Sequence, residues 1–297
     1  MNPPIVDTAT VEPAVPTACV VEVPVPQRTS LRAPIGSSPR VHAEVGRYRL
    51  RLAETAEDRE AACRLRFRVF NLELGEGLES SYETGLDTDP FDRFCEHLLV
   101  EDKHQENSSR AIVGTYRMQS GITAALNLGY YSEQEFDLSL YESLRPEILE
   151  LGRASIDRDH RTPEVLTLLW RGIAQYATDA GLRYLIGCSS LNSRNPGEGW
   201  DLYRQLENYR VGSGSSTHPT PAYECPMEKI TRADADSMTV EAVKVPRLLK
   251  TYLAIGARIA APPAWDRAFG TIDFLTILDL KLLSSAARNR FLAPLAQ

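Results

Sequence analysis

Three observations predict an α+β fold with helices packed on a sheet that includes an antiparallel meander. Period-2 and period-3.6 hydrophobic patterns alternate along the chain in the order strand, helix, antiparallel meander, helix, strand, helix, strand. The helical patterns carry capping residues at their ends. The composition, 43% hydrophobic and 25% charged over 297 residues without an internal repeat, is that of a globular protein with material for a large core.

The elements follow in order. Residues 1–46 hold eight of the nineteen prolines and no aromatic residue. Such a leader buries too little apolar area to offset its ordering entropy and is expected to be disordered. The folded domain is expected over residues 47–280. Tyr48, Leu50 and Leu52 alternate with Arg47, Arg49 and Arg51, the period of a half-buried strand. Thr55 reads as an N-cap with Asp58 in the capping-box position, opening a helix to about Leu74 that Gly75 and Gly77 end. Residues 71–92 then carry seven carboxylates and no Lys or Arg. That window is either a solvated loop or a lid over a site for a cationic substrate. Strands are predicted at His97–Glu101, Ala111–Met118 and Ile148–Ile156, with loop and a short helix over residues 121–146. Thr162 caps a strong helix with Pro163 at its first position and Gly181 at its end. Tyr184–Cys188 reads as a buried strand and Trp200–Leu206 as the start of a helix. Strands near Ala222–Lys229 and Thr271–Leu280 flank a helix over Pro246–Ile259. Residues 281–297 form a basic amphipathic tail, with Lys281, Arg288 and Arg290 among Leu282, Leu283, Phe291 and Leu292. Peripheral contact with an anionic membrane and a frayed cytosolic helix are both open readings of it.

Composition excludes several classes. A formal charge of −7 gives no electrostatic reason to expect nucleic acid. No apolar run approaches the roughly 20 residues needed to span a bilayer, and the N-terminus lacks a secretory pattern. The five cysteines are scattered and the histidines lack ligand spacing, so reduced thiols, a cytoplasmic location and no metal are expected. No Walker or dinucleotide-binding glycine pattern occurs, and Gly212–Ser216 reads as a turn.

The candidate chemistry lies in four short motifs: Arg66–Phe70, Asp87–Asp92, Gly114–Arg117 and Glu150–Arg153. Glu150 and Arg153 are three apart on one strand, so a bulge at Gly152 is needed to bring them to one face. A buried Glu150 has the raised pKa that suits a base for an amine. Arg66 is expected to pair with Asp87, Asp89 and Asp92. Arg117 is either a site residue or a solvated strand end, and Arg68 is expected on the solvated side of its helix.

In this order the motifs resemble those of the acyl-carrier-protein-dependent N-acyltransferases, a branch of the GNAT superfamily. Arg66, Val69, Phe70, Leu74 and Gly75 match a homoserine-lactone synthase pattern, but Glu76 stands in place of its tryptophan, which argues against that activity. The runs Phe94–Val100, Gly129–Leu138, Leu168–Ile173, Leu185–Ser190, Pro246–Ala257 and Phe269–Phe274 resemble those of the ornithine N-acyltransferases, so the likeness covers residues 48 to 280. It implies a GNAT-like central sheet, mixed and mostly antiparallel, split between its middle strands, with helices on both faces. It also implies transfer of a long (3-hydroxy)acyl chain from acyl carrier protein to the α-amine of L-ornithine, giving lyso-ornithine lipid. The donor would be acyl-phosphopantetheine on the carrier, with no cofactor bound. Glu150, Arg153 and Arg66 would be catalytic, and Asp87, Asp89, Asp92, Arg117 and Phe70 would bind substrate. The acidic window would hold the side-chain ammonium or lock Arg66. The Asp157–Pro163 turn lacks the glycines of a pyrophosphate cradle, and Arg158, His160, Arg161 and Arg171 would meet the acidic carrier. The alternatives are an N-acyl amino acid synthase with another acceptor, and a non-catalytic carrier- or lipid-binding protein.

Overall fold

The structure is a computed structural model that describes residues 39, 41–227 and 242–291. Nine strands form one sheet: β1 (His42–Val45), β2 (Tyr48–Leu52), β3 (Glu96–Asp102), β4 (Ile112–Ser120), β5 (Ile148–Ile156), β6 (Tyr184–Leu191), β7 (Arg258–Ile259), β8 (Ala264–Asp266) and β9 (Thr271–Asp279). Their order is β1-β2-β3-β4-β5-β6-β9-β7, with β8 also paired to β9. Every pairing is antiparallel except that of β5 with β6. This is the mixed, mostly antiparallel sheet that the resemblance implies, within the α+β class that the patterning predicts.

The parallel pair is short. Ile148, Leu149 and Glu150 align with Tyr184, Leu185 and Ile186, and the pairing stops there. Beyond this point β5 pairs only with β4, and β6 only with β9. Gly187 lies where the strands part: a Cβ there would sit 2.2 Å from the carbonyl oxygen of Leu151. Only glycine permits that approach.

Helices cover both faces. α1 (Ala56–Phe67) starts at the expected capping box, with the Thr55 hydroxyl accepting from the Asp58 N–H and the Asp58 carboxylate accepting from the Thr55 N–H. It continues as a π-helix, Arg68–Leu74, until Gly75 turns the chain at φ 66°. Ala62, Leu65 and Val69 pack on Leu99 and Ile112. α2 is a short helix, Gly121–Leu126. α3 (Pro163–Asp179) lies on the opposite face, where Val165, Leu169 and Ile173 meet Leu50, Leu98 and Met118. Leu98 and Leu99 thus serve different cores, as alternation along β3 requires. α4 (Pro196–Gln205) and α5 (Arg247–Ile255) bury Leu202, Leu249 and Leu253 against Ile272 and Phe274.

Three expectations are corrected, and the tail is described in part. The folded part begins before residue 47, because His42–Val45 forms β1 against β2, with Val41 and Ala43 buried. The short β1 has no aromatic residue, so composition hid it. The strand expected from Ala222 is a single 3-10 turn, Pro221–Tyr223, followed by one bridge from Glu224 to Ala264, and Glu228 and Lys229 lie outside the described residues. The helix expected to Ile259 stops at Gly256, whose φ of 111° ends it, and β7 follows. The tail begins α6 (Ser285–Phe291), whose Phe291 packs 5.6 Å from the Trp170 ring on α3. Among the described residues of the tail, Leu283, Ala287 and Phe291 are buried and Leu282 is strongly exposed. Leu292 lies outside the described residues.

Candidate active site

The four motifs converge beside the parting of β5 and β6. Arg66, in the last turn of α1, is fully buried. Its Nε donates to Asp87 Oδ1 at 2.8 Å, its Nη1 to Asp92 Oδ1 at 2.7 Å, and its Nη2 to the Asp87 carbonyl and Asp92 Oδ2 at 2.6 and 3.0 Å. Asp89 and Asp92 are held by their own capping box around the 3-10 turn Pro90–Arg93. Arg117 Nη1 donates to both oxygens of Asp89 at 2.6 Å and reaches Asp92 at 3.1 Å. Arg153 Nη2 donates to Asp89 at 3.1 Å, and its Nε lies 3.4 Å from Asp87. Three guanidinium groups therefore neutralise three carboxylates. Burial favours the neutral acids, but Arg66 holds the Asp92 carboxyl, and Arg117 with Arg153 the Asp89 carboxyl, below the usual range. His97 sits under Asp92, and burial depresses its pKa to about 4, so it is neutral at pH 7.

The bulge lies one residue later than expected. Thr115 aligns with Ser155 and Arg117 with Gly152, so Tyr116 faces both Arg153 and Ala154. Arg153 absorbs the distortion at φ 52°, the one positive φ outside glycine among the described residues. Its guanidinium is clasped between the rings of Tyr131 and Phe269, at 4.9 and 4.6 Å from their centroids. Phe70 packs edge-on to the same Phe269 at 5.6 Å. These contacts and the two aspartates fix the strained backbone.

Glu150 is 5% exposed and accepts three hydrogen bonds, from the Tyr131 N–H at 2.8 Å and from the Ser132 N–H and hydroxyl at 2.7 Å each. Burial raises its pKa, against those three donors. It thus ties the Tyr131–Gln134 turn to β5 through a buried carboxylate.

Sequence reasoning missed a second acidic group across the parting. Glu135, Asp266 on β8 and Asp273 on β9 are 1%, 4% and 3% exposed, with one oxygen of each within 4.8 Å of the others. The three come from distant segments, so neither spacing nor local charge density marks them. Burial and mutual repulsion push Glu135 and Asp273 upward. Glu76, half-buried and within the field of Asp273, is pushed up to about 7 by burial.

Of the expected carrier-facing residues, Arg158, His160 and Arg161 lie in the turn just before α3 and are differently engaged. Arg158 is exposed, whereas Arg161 is paired with Glu73 and the His160 ring shares a 3.0 Å hydrogen bond with the Tyr48 hydroxyl. Arg171 is half-buried along the helix.

Comparison with known proteins gives the family. The acetyltransferase (GNAT) domain family matches residues 65–171, the stretch from Arg66 through β5 to α3. A protein of Brucella abortus named L-ornithine N(alpha)-acyltransferase is 33% identical over 266 residues, which covers 83% of this chain and 92% of that one. A protein of the same name from Agrobacterium fabrum is 31% identical, covering 81% of this chain and 83% of the other. Among solved structures, an N-acyl amino acid synthase from uncultured soil microbes aligns at a TM-score of 0.44 and 12% identity, over 83% of this chain and 96% of that one. Identity above 30% across most of both sequences settles the matter: the chain belongs to the L-ornithine N(alpha)-acyltransferase family and is an acyltransferase built on a GNAT domain.

Proposed function

We propose that this acyltransferase moves a long (3-hydroxy)acyl chain from acyl carrier protein to the α-amine of L-ornithine, giving lyso-ornithine lipid. The observation that carries the reading is the parting of β5 and β6 with Glu150 at its closed end. A thioester laid in the gap meets strand edges that have no partner across it, and their N–H groups can stabilise an oxyanion, by about 3 kcal/mol per donor. The gap suits phosphopantetheine, an extended chain with amide groups, and the glycine-free Asp157–Pro163 turn suits a donor without a nucleotide. Arg158 and its basic neighbours would meet the acidic carrier.

Glu150, directly or through one water, takes the proton as the amine attacks the thioester carbonyl, and the pantetheine thiol leaves. Arg153 and Arg117, held by Asp89, shape the wall beside the acceptor, with Arg66, Asp87 and Asp92 locking that wall in place and Phe70 bracing Phe269.

The test is mass spectrometry of products after incubation with 3-hydroxypalmitoyl carrier protein and an equimolar mixture of the common amino acids and ornithine. N-acyl-ornithine as the dominant product is expected. A different acylated amino acid would keep the mechanism and reject the acceptor, and no product from folded protein would reject both. Glu150→Gln should lower kcat/KM by about 10²- to 10⁴-fold and remove the acidic limb of its pH profile. An unchanged limb would reassign Glu150 to holding the Tyr131–Gln134 turn alone.

A further inference from the structure

We propose that Glu135, Asp266 and Asp273 form the subsite for a side-chain ammonium on the acceptor amino acid, and so select a dibasic acceptor over a neutral one. The proposal rests on the amino-acid acceptor argued above and assigns its specificity to residues outside the four motifs.

The charge balance separates this cluster from the neighbouring one. Asp87, Asp89 and Asp92 are matched by three arginines. Among the described residues, none of Glu135, Asp266 and Asp273 pairs with a Lys or Arg, and the nearest positive field comes from Arg153, which is bonded to Asp89. Three buried carboxylates without a counter-cation are costly, which makes a ligand the natural source of positive charge.

Two oxygens point to that ligand directly. Glu135 Oε2 and Asp273 Oδ1 are buried and accept no hydrogen bond. The others are used to aim the group: Asp273 Oδ2 accepts from the Thr271 hydroxyl at 3.0 Å, and Asp266 Oδ1 accepts the Ala268 and Phe269 N–H groups at 2.9 and 2.8 Å. A primary ammonium has three donors to give and fits a site of converging carboxylates.

Access and position agree. Ser190 at the open end of β6 is exposed and lies directly across the strand pair from Asp273, and half-buried Cys188, two residues before it on the same strand, is near enough to Glu135 to lower its pKa against the effect of burial. Asp273 therefore shares the sheet face that carries Ser190 and Cys188 beside the gap. The Cys188 thiol also lies 3.5 Å from the Ser132 hydroxyl, which in turn donates to Glu150 at 2.7 Å. A diamine whose α-amine faces Glu150 would carry its second amine along this line toward Glu135. Glu76 adds a fourth carboxylate at the rim, acting on Asp273.

The test compares L-ornithine with L-norvaline, which lacks only the terminal amine, using the full chain and acyl carrier protein. Wild-type kcat/KM should favour ornithine by about 100-fold or more, because a site built for a charged donor is left unpaired by the neutral analogue. Asp273→Asn and Glu135→Gln should each cut ornithine kcat/KM by about 30-fold while leaving norvaline within about 3-fold. An equal fall for both substrates, with the ratio unchanged, overturns the proposal. Thermal melting of the wild type gives a readout free of chemistry: ornithine should raise the midpoint and norvaline at the same concentration should not. If the variants fail to fold, that comparison decides. Equal shifts from both ligands, or stabilisation by Mn²⁺ with none by ornithine, overturn the subsite. A wild type that acylates no amino acid yet melts higher only with ornithine rejects the acyl-transfer reading and keeps the subsite.

Discussion

Replacing Arg66 by leucine isolates what the buried guanidinium contributes. Arg66 is 0% exposed, Asp87 0% and Asp92 9%, and the arginine donates four hydrogen bonds to this pair. Leucine fits the apolar surroundings of α1 but leaves two carboxylates short of a partner. Arg117 still reaches Asp92 at 3.1 Å and Arg153 lies 3.4 Å from Asp87, so compensation is partial. Removing one partner of a buried ion pair costs ~3–5 kcal/mol, a large share of the stability of an ordinary domain. The loss must also depend on pH. In the wild type the Asp92 pKa is lowered, so its stabilisation is present above the unfolded value and is lost only as pH falls through the folded one. Without Arg66 burial dominates and raises that pKa, and the variant instead loses stability as pH rises above about 4. Urea unfolding followed by tryptophan fluorescence should therefore show a deficit of about 4 kcal/mol at pH 8 that shrinks clearly at pH 5. A deficit below about 1 kcal/mol at pH 8, or one equal at both pH values, would refute the buried lock.

Other positions give sharper local tests. Gly187→Ala would place a Cβ 2.2 Å from the Leu151 carbonyl, so the strands must part earlier. We expect about 1–3 kcal/mol of destabilisation by urea unfolding, with activity lost before stability as the gap changes shape. Glu76→Gln removes a group whose pKa is raised from 4.5 to about 7 by burial. Its stability contribution is intact below the unfolded value and is lost as pH rises through 7, so the substitution should stabilise at pH 8 and be neutral at pH 4.5. Discounted for partial exposure, the gain is about 1–2 kcal/mol, and a gain equal at both pH values would rule out this origin.

The parts of the fold legible in the sequence are those fixed by local rules. The Thr55 capping box, the Ile148–Ile156 strand and the Pro163-initiated helix follow from side chains within a few residues of one another. Pairing of β1 and the end of α5 at Gly256 depend on weaker signals: four residues without an aromatic anchor, and a glycine followed by another apolar run. The bulge was legible as a need, since Glu150 and Arg153 cannot share a face without one. Its place was not, because glycine is the cheapest site for strain and the chain uses Arg153 instead. What holds Arg153 at φ 52° is a pair of aspartates 64 and 66 residues upstream and the rings of Tyr131 and Phe269, none of which local sequence can weigh.

The two acidic groups show why local charge density misleads about binding. The window from residue 71 to 92 is rich in acid and empty of cations in sequence, yet its buried members are neutralised by Arg66, Arg117 and Arg153 arriving from a helix and two strands. Glu135, Asp266 and Asp273 lie far apart in sequence with no shared motif, yet among the described residues they meet without a paired arginine. The quantity that matters is the count of guanidinium groups delivered in three dimensions. A neutralised cluster rigidifies the wall on which Arg153 and Glu150 sit. An unneutralised one raises the energy of the empty protein, and a ligand cation can recover that energy on binding. Stability and selectivity are thus assigned to different carboxylates, and the two sets should respond oppositely to neutral substitution: loss of stability at Asp92, loss of discrimination at Asp273.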